Sequence, residues 1–352
     1  MTFLGRVSER SQAVVRAAVE GPLASIALEP LLLGGKGIRA RIVREVGTAL
    51  AAPEGRLVSA AAAAELLHNA SLIHDDVQDG DTVRRGHPTV WATHGVAQAI
   101  NAGDLLMMVS VAAVDCPEYD PALSWSLARA AMRRSAATVG GQALELALSH
   151  HADIVPSMAL YLRAAIGKTG HFFALPVEMA ALVAGASPTH AEALGDAALP
   201  LGVLYQIADD LIDLYGDKGR DAQGNDIKEG KVSALVALHL DRRPHDRSWL
   251  TAVLRKPREQ TSAHDVERAA LAFMASGAAA HAALEAVHQR SAIAVSDPAV
   301  RDVLLAVADQ LLAGLPGGLG HAVAPNDTAV AAVAPSPGHT GALAVAAERC
   351  LS

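Results

Sequence analysis

Two stretches of the chain, His74-Asp75-Asp76-Val77-Gln78-Asp79 and Gln206-Ile207-Ala208-Asp209-Asp210-Leu211-Ile212-Asp213, carry carboxylates at i, i+1 and i+4. On a helix of 3.6 residues per turn, Asp75 and Asp79 share one face, as do Asp209 and Asp213. Like charges so placed repel by roughly a few tenths of a kcal/mol, and by more when partly buried, so positive charge must offset them. Hard divalent cations suit this task. Mg²⁺ prefers octahedral oxygen, keeps several waters, and takes one or two carboxylates per ion together with oxygens of a substrate phosphate. The implied chemistry is a diphosphate held between two metal-bearing helices. One such cluster alone would read as a solvated helix face. Two of them, flanked by Ser71-Leu72-Ile73 and Leu204-Tyr205-Gln206-Ile207, belong on helices that line an interior.

The cations that a diphosphate needs lie around these clusters. Gly34-Gly35-Lys36-Gly37-Ile38-Arg39 sets two of them beside a glycine turn, where backbone amides and a helix N-terminus can hold phosphate. His68 precedes Asp75 by two helical turns and shares its face. Arg84-Arg85 follow the first cluster closely; otherwise they would be a solvated pair bridged to Asp79 or Asp81. Lys168-Thr169, Arg220 and Lys231 complete the set. Each of these is a surface charge by default, and their combination is the signal.

The elements that must position these residues read as helices. Hydrophobic residues make up 51% of the 352 residues, aromatics only 3%, and alanine-rich stretches dominate, which favours close-packed helices over strands. The fold class expected is all-α. Helical segments are predicted at about 2–20, 38–52, 57–80, 92–114, 121–150, 154–185, 189–216, 231–241, 246–256, 263–292 and 298–314, with prolines such as Pro53, Pro88, Pro188 and Pro298 falling between them or in their first turns. Residues 1–315 read as one domain, 316–341 as a Gly/Pro/Ala-rich linker and 342–352 as a short segment with helical character.

A net charge of -8 and a pI near 6.0 argue against a nucleic-acid partner, which requires clustered Lys and Arg. Cys116 and Cys350 form neither a disulfide framework nor a zinc pattern, as expected for a reducing cytoplasm. No signal peptide and no transmembrane segment are predicted.

The stretches GGKGIR, LLHNASLIHDDVQDGDTVRRGHPT, NAGDLL, GQALEL, GKT, YQIADDLID and GNDIKEGK occur in an order that resembles the trans-isoprenyl diphosphate (polyprenyl) synthases, across roughly residues 30–315. That resemblance implies an isoprenoid synthase-type helical bundle around a deep central cavity, two DDxxD motifs facing each other, and three Mg²⁺ ions on an allylic diphosphate. It implies Asp75 and Asp79 as ligands of two metals and Asp209 of the third, supported by Asp76, Asp210 and Asp213. It implies Lys36, Arg39, His68 and Arg85 for isopentenyl diphosphate. For the allylic diphosphate it implies Arg84, Lys168 and Lys231, with Thr169 and Gln206 nearby. It also implies a homodimer.

Two departures stand out. Gly37 replaces an arginine of the family pattern and Ala40 a proline, and a lysine expected at Asp221 or Ala222 is absent, which leaves Arg220 as the nearest substitute. Ala70 and Ser71 lie about one turn before Asp75, where bulky aromatics block chain growth in the family. Their small size implies a product beyond C15, with C20 expected unless Met107 or Met108 forms a nearer floor. A terpene cyclase of the same fold and a non-catalytic subunit of a heteromeric synthase are the alternatives. The second diphosphate site argues against the first and the intact aspartates against the second.

Overall fold

The computed structural model describes residues 1–150, 154–216 and 223–316. Arg220, Asp221, Ala222, the linker beyond Pro316 and the final segment lie outside the described residues.

The chain is all-α, in the order α1 (Phe3–Ala18), α2 (Pro22–Leu32), α3 (Ile38–Ala49), α4 (Glu54–Asp79), α5 (Val90–His94), α6 (Val96–Ala112), α7 (Pro121–His150), α8 (Met158–Ala165), α9 (His171–Val183), α10 (Pro188–Asp196), α11 (Leu199–Tyr215), α12 (Asn225–Lys228), α13 (Ala234–Arg242), α14 (Arg247–Leu254), α15 (Ala263–Ala275), α16 (Ala278–Ser291) and α17 (Pro298–Ala313). Two helices form the centre. In α9 every residue from Phe172 to Val183 is buried, so the helix has no solvent face. In α4, Ala60 to Ala64 are all buried, and small side chains let α3, α6 and α9 approach it closely. The first aspartate cluster ends α4, which is stopped by Gly80 in the left-handed region at φ 70°.

The predicted segments are found, with five corrections. Helix α2 was not predicted; the prolines at its start and interior and its uniformly apolar sequence gave no helical periodicity. The predicted helix at 154–185 is interrupted at Ile166–Gly170 by a π-helical turn. The segment at 189–216 breaks after Asp196, and that at 263–292 bends by 68° at Ser276-Gly277, where Gly277 takes φ 76°. The fifth is a short antiparallel hairpin, β1 (Val83–Arg84) with β2 (His87–Pro88), paired Val83 to Pro88 and Arg84 to His87. Its two-residue loop, Arg85 at φ 55° and Gly86 at φ 78°, has the double positive φ of a type I′ turn. The left-handed geometry costs Arg85 on the order of 1 kcal/mol.

Candidate active site

At the end of α4 the three carboxylates divide. Asp76 turns inward at 4% exposure and accepts from Arg84 Nε at 2.6 Å. Burial pushes its carboxyl up to about 6 against the opposing pull of Arg84. The sequence offered Asp79 or Asp81 as default partners of Arg84; the principal partner is Asp76, with Asp81 at 3.8 Å. Asp75 and Asp79 stay on the other face. Burial raises the Asp75 carboxyl, Lys168 opposes this, and the charge of Asp79 adds to it. Asp79 accepts from Lys231 Nζ at 2.7 Å. Lys231 precedes α13 in a loop, not in the helix predicted at 231–241.

The second cluster divides in the same manner. Asp209 is exposed, whereas Asp210 and Asp213 are 3% and 5% exposed. Asp210 Oδ2 accepts from the Tyr161 hydroxyl and the Ala234 amide, both at 2.8 Å, and Oδ1 from Gln206 Nε2 at 3.1 Å. Burial still lifts its carboxyl to about 7. Asp213 accepts from the Asp226 amide at 3.1 Å. Asp226 is itself held well above the usual carboxylate range by burial and by Asp210 and Asp213. Lys231 lowers it, so one ammonium acts both on Asp79 of the first cluster and on Asp226 beside the second.

The π turn supplies Lys168 and Thr169. It is pressed between α7 and α11 so closely that a Cβ on Gly141 would lie 2.0 Å from the Lys168 nitrogen, and one on Gly202 would lie 2.6 Å from Gly170 Cα. Only glycine permits that approach. It brings Lys168 Nζ to 2.5 Å from Glu145 Oε2 and Thr169 Oγ1 to 2.9 Å from Gln206 Oε1.

A second, cationic pocket lies toward α3. Gly34 and Gly37 take φ 70° and 57° on either side of exposed Lys36. At Gly37, Leu4 stands 3.1 Å from where a Cβ would lie, so the departure from the family's arginine suits the local backbone. Arg39, 8% exposed, sits against Phe172 and Phe173 with its guanidinium carbon 5.4 and 5.5 Å from their ring centres. His68 meets Phe172 edge-on. Burial, reinforced by Arg39, Arg85 and Arg84, drives its imidazole well below 6.5. Arg85 donates to the Gly34 carbonyl and lies over Gly35. Arg39 Nε and His68 Nδ1 are buried with no hydrogen-bond partner among the described residues, a costly state that an anionic ligand relieves at Arg39.

Beneath the Asp75 face, Ser71 donates to the His68 carbonyl at 2.8 Å, and Leu67, one turn further, lines an apolar cavity of about 280 Å³ between α4, α6 and α7. Met107, Val111, Met132 and Val139 line it too. Ala70 has no exposed surface, and Met108 points outward at 73% exposure, which removes it as a floor.

Sequence reasoning missed Tyr161, Glu145, Phe172, Phe173, Asp226 and Glu229. Each acts through a partner distant in the chain, and only Glu145 and the Asp226–Glu229 stretch stood inside a motif. Among the described residues no three His, Cys, Asp or Glu side chains converge as a ready-made metal cage. The donors are nevertheless hard carboxylate oxygens crowded enough to need added positive charge, which fits a cation that relies on water and substrate phosphate for its remaining ligands. No single described helix is long and apolar enough to cross a membrane.

The polyprenyl synthetase family profile matches residues 22–273. The chain is 34% identical over 289 residues to the geranylgeranyl diphosphate synthase of Mycobacterium tuberculosis, covering 79% of each protein. It is 36% identical over 185 residues to the (2E,6E)-farnesyl diphosphate synthase of the same species, covering 52% of this chain and 50% of that one. Its fold is similar to the crystal structure of a geranylgeranyl pyrophosphate synthase from Corynebacterium glutamicum complexed with isoprenyl diphosphate and magnesium, with a TM-score of 0.75, 25% identity, and coverage of 88% of this chain and 98% of that one.

Proposed function

Because the chain belongs to the polyprenyl synthetase family and is a prenyltransferase, we propose that it condenses isopentenyl diphosphate head to tail with an allylic diphosphate, to a trans-polyprenyl diphosphate of C20. The observation that supports this reading is two separate groups of cationic side chains. One is the carboxylate face with Lys168 and Lys231; the other is the Arg39–His68 pocket with its unpaired buried donors.

Asp75, Asp79 and Asp209 would hold Mg²⁺, and Asp76, Asp210 and Asp213 act one step behind them by positioning α4 and α11. Bound there, Mg²⁺ supplies charge that stabilises the departing diphosphate. Lys168, Lys231 and Arg84 grip the same diphosphate, with Thr169 and Gln206 fixing the π turn behind Lys168. Lys36, Arg39 and Arg85 hold isopentenyl diphosphate, and neutral His68 completes that pocket. The allylic C–O bond breaks with its electron pair on the diphosphate, the isopentenyl double bond attacks the cation, and a proton passes to the released diphosphate. The apolar cavity beyond Ser71 keeps water from the cation. Ala70 and Ser71 are small, and Leu67 and Met107 line the apolar cavity further along α4 and α6, which supports C20 over C15.

A second copy of the chain is proposed to cover the outward apolar side chains of α6 and α7, among them Met108 at 73%, Trp125 at 60% and Val139 at 59% exposure. Chromatography of products from isopentenyl diphosphate with dimethylallyl, geranyl or farnesyl diphosphate tests the function. Cyclised hydrocarbon from the allylic diphosphate alone, or no turnover by the isolated protein with Mg²⁺, would overturn it.

A further inference from the structure

The carboxylates that hold Lys231 and Arg84 share a third cation. Glu229, with a side chain only 6% exposed, accepts from Lys231 Nζ at 2.7 Å and faces Arg258 Nη2 at 3.2 Å. Asp81 accepts from Arg258 Nη1 at 2.7 Å and has Arg84 Nη2 at 3.8 Å. The guanidinium of Arg258 therefore spans two carboxylates on two separate elements, and each of these carboxylates also touches one cation of the allylic site. The planar fork places a different nitrogen on each carboxylate.

Both ends of the span are fixed. Asp81 is anchored by its own carbonyl, which accepts from Trp91 Nε1 at 2.7 Å and Thr89 Oγ1 at 2.8 Å. Arg258 rides on the turn before α15, which Lys256 ties to Asp265 at 2.7 and 2.8 Å and Ser262 caps. Between these points stands the loop carrying Glu229 and Lys231.

Binding of the diphosphate requires Lys231 to leave Asp79 and Glu229. A carboxylate as buried as Glu229 resists losing its only counter-charge. With Arg258 beside it, Glu229 stays paired after Lys231 departs, and Asp81 likewise keeps a partner without Arg84. We infer that Arg258 is a positioning residue that neutralises Glu229 and Asp81 so that Lys231 and Arg84 are free to turn to the allylic diphosphate. The inference rests on the reading above, in which those two cations grip that substrate.

The test combines steady-state kinetics with calorimetric binding of a non-reactive allylic thiolodiphosphate in the presence of Mg²⁺, for the full chain and the variants R258Q, R258K, K231A and R255Q, the last a control at an exposed arginine. R258Q is expected to raise both the allylic KM and the analogue Kd about tenfold, leaving the isopentenyl diphosphate KM within about twofold. R258K falls between wild type and R258Q, because an ammonium keeps the charge but lacks the fork that puts a separate nitrogen on each carboxylate, and R255Q behaves as wild type. Equal effects of R258Q on both substrates, or a loss in kcat alone, would overturn the inference. If K231A raises the allylic KM and R258Q does not, the inference fails alone; if K231A leaves it unchanged, the assignment of Lys231 fails and the inference with it.

Discussion

Lys231 Nζ lies 2.7 Å from Asp79 Oδ2, across 152 residues of sequence, so the cation proposed to grip the substrate and the carboxylate proposed to hold metal neutralise each other. On that proposal a divalent ion at Asp79 would compete with Lys231 and leave its ammonium available to a diphosphate. Asp79→Asn is expected to lower kcat about 10²- to 10³-fold and to raise the Mg²⁺ concentration for half-maximal rate. A Mg²⁺ titration of turnover checks both, and chelation should abolish activity in the wild type.

Arg39 is buried against two phenyl rings with an unpaired Nε, an arrangement that is costly without an anion. Arg39→Gln should raise the KM for isopentenyl diphosphate by about 100-fold while changing the melting temperature of the ligand-free protein by less than about 2 °C. A large loss of stability would make Arg39 structural instead.

Ser71 and Leu67 precede Asp75 at one-turn intervals along one face of α4, toward the cavity that Met107 lines. Ser71→Phe should shorten the product, and Met107→Ala should lengthen it. Unchanged product lengths from farnesyl diphosphate would show that the chain grows elsewhere.

His171 Nδ1 accepts from Arg134 Nη1 at 3.1 Å, and burial together with that guanidinium brings its imidazole from 6.5 down to about 4. The folded protein therefore refuses a proton that the unfolded chain takes up. The sign follows: stability contributed by neutral His171 is full above about 6.5 and is lost as pH falls toward about 4. His171→Gln should flatten the fall in melting temperature across that window; parallel curves for variant and wild type would refute the assignment.

Met132, 46% exposed, stands beside Val139 on α7 at the rim of the apolar cavity. If a second copy covers this face, Met132→Glu converts a dimer to monomers in sedimentation experiments. A wild-type protein that sediments as a monomer would remove the proposal.

Much of this site could be read from sequence because its residues are local on helices. Asp75 and Asp79 were placed on one face by spacing alone, and the structure keeps them there. What escaped reading depends on contacts between elements. The partner of Arg84 is Asp76 because the hairpin loop at Arg85-Gly86 turns the chain back over α4, and positive φ at an arginine has no sequence signature. Tyr161 was invisible because its meaning lies in Asp210, 49 residues away. The break between α8 and α9 was missed because apolar periodicity continues through it, and a π turn leaves hydrophobicity unchanged.

That turn, Ile166–Gly170, also bears on how relatives of this chain can be compared. It accommodates one residue more than a regular helix would over the same rise, and Lys168 and Thr169 reach Glu145 and Gln206 from within it. Deleting a single residue there would leave a continuous, regular helix with α9 in the same phase, but would remove the widened turn from which Lys168 and Thr169 reach their partners. An alignment gap of one position at this point would therefore mark a homologue that keeps the fold and every signature aspartate but has lost the reach of Lys168 proposed to grip the allylic substrate.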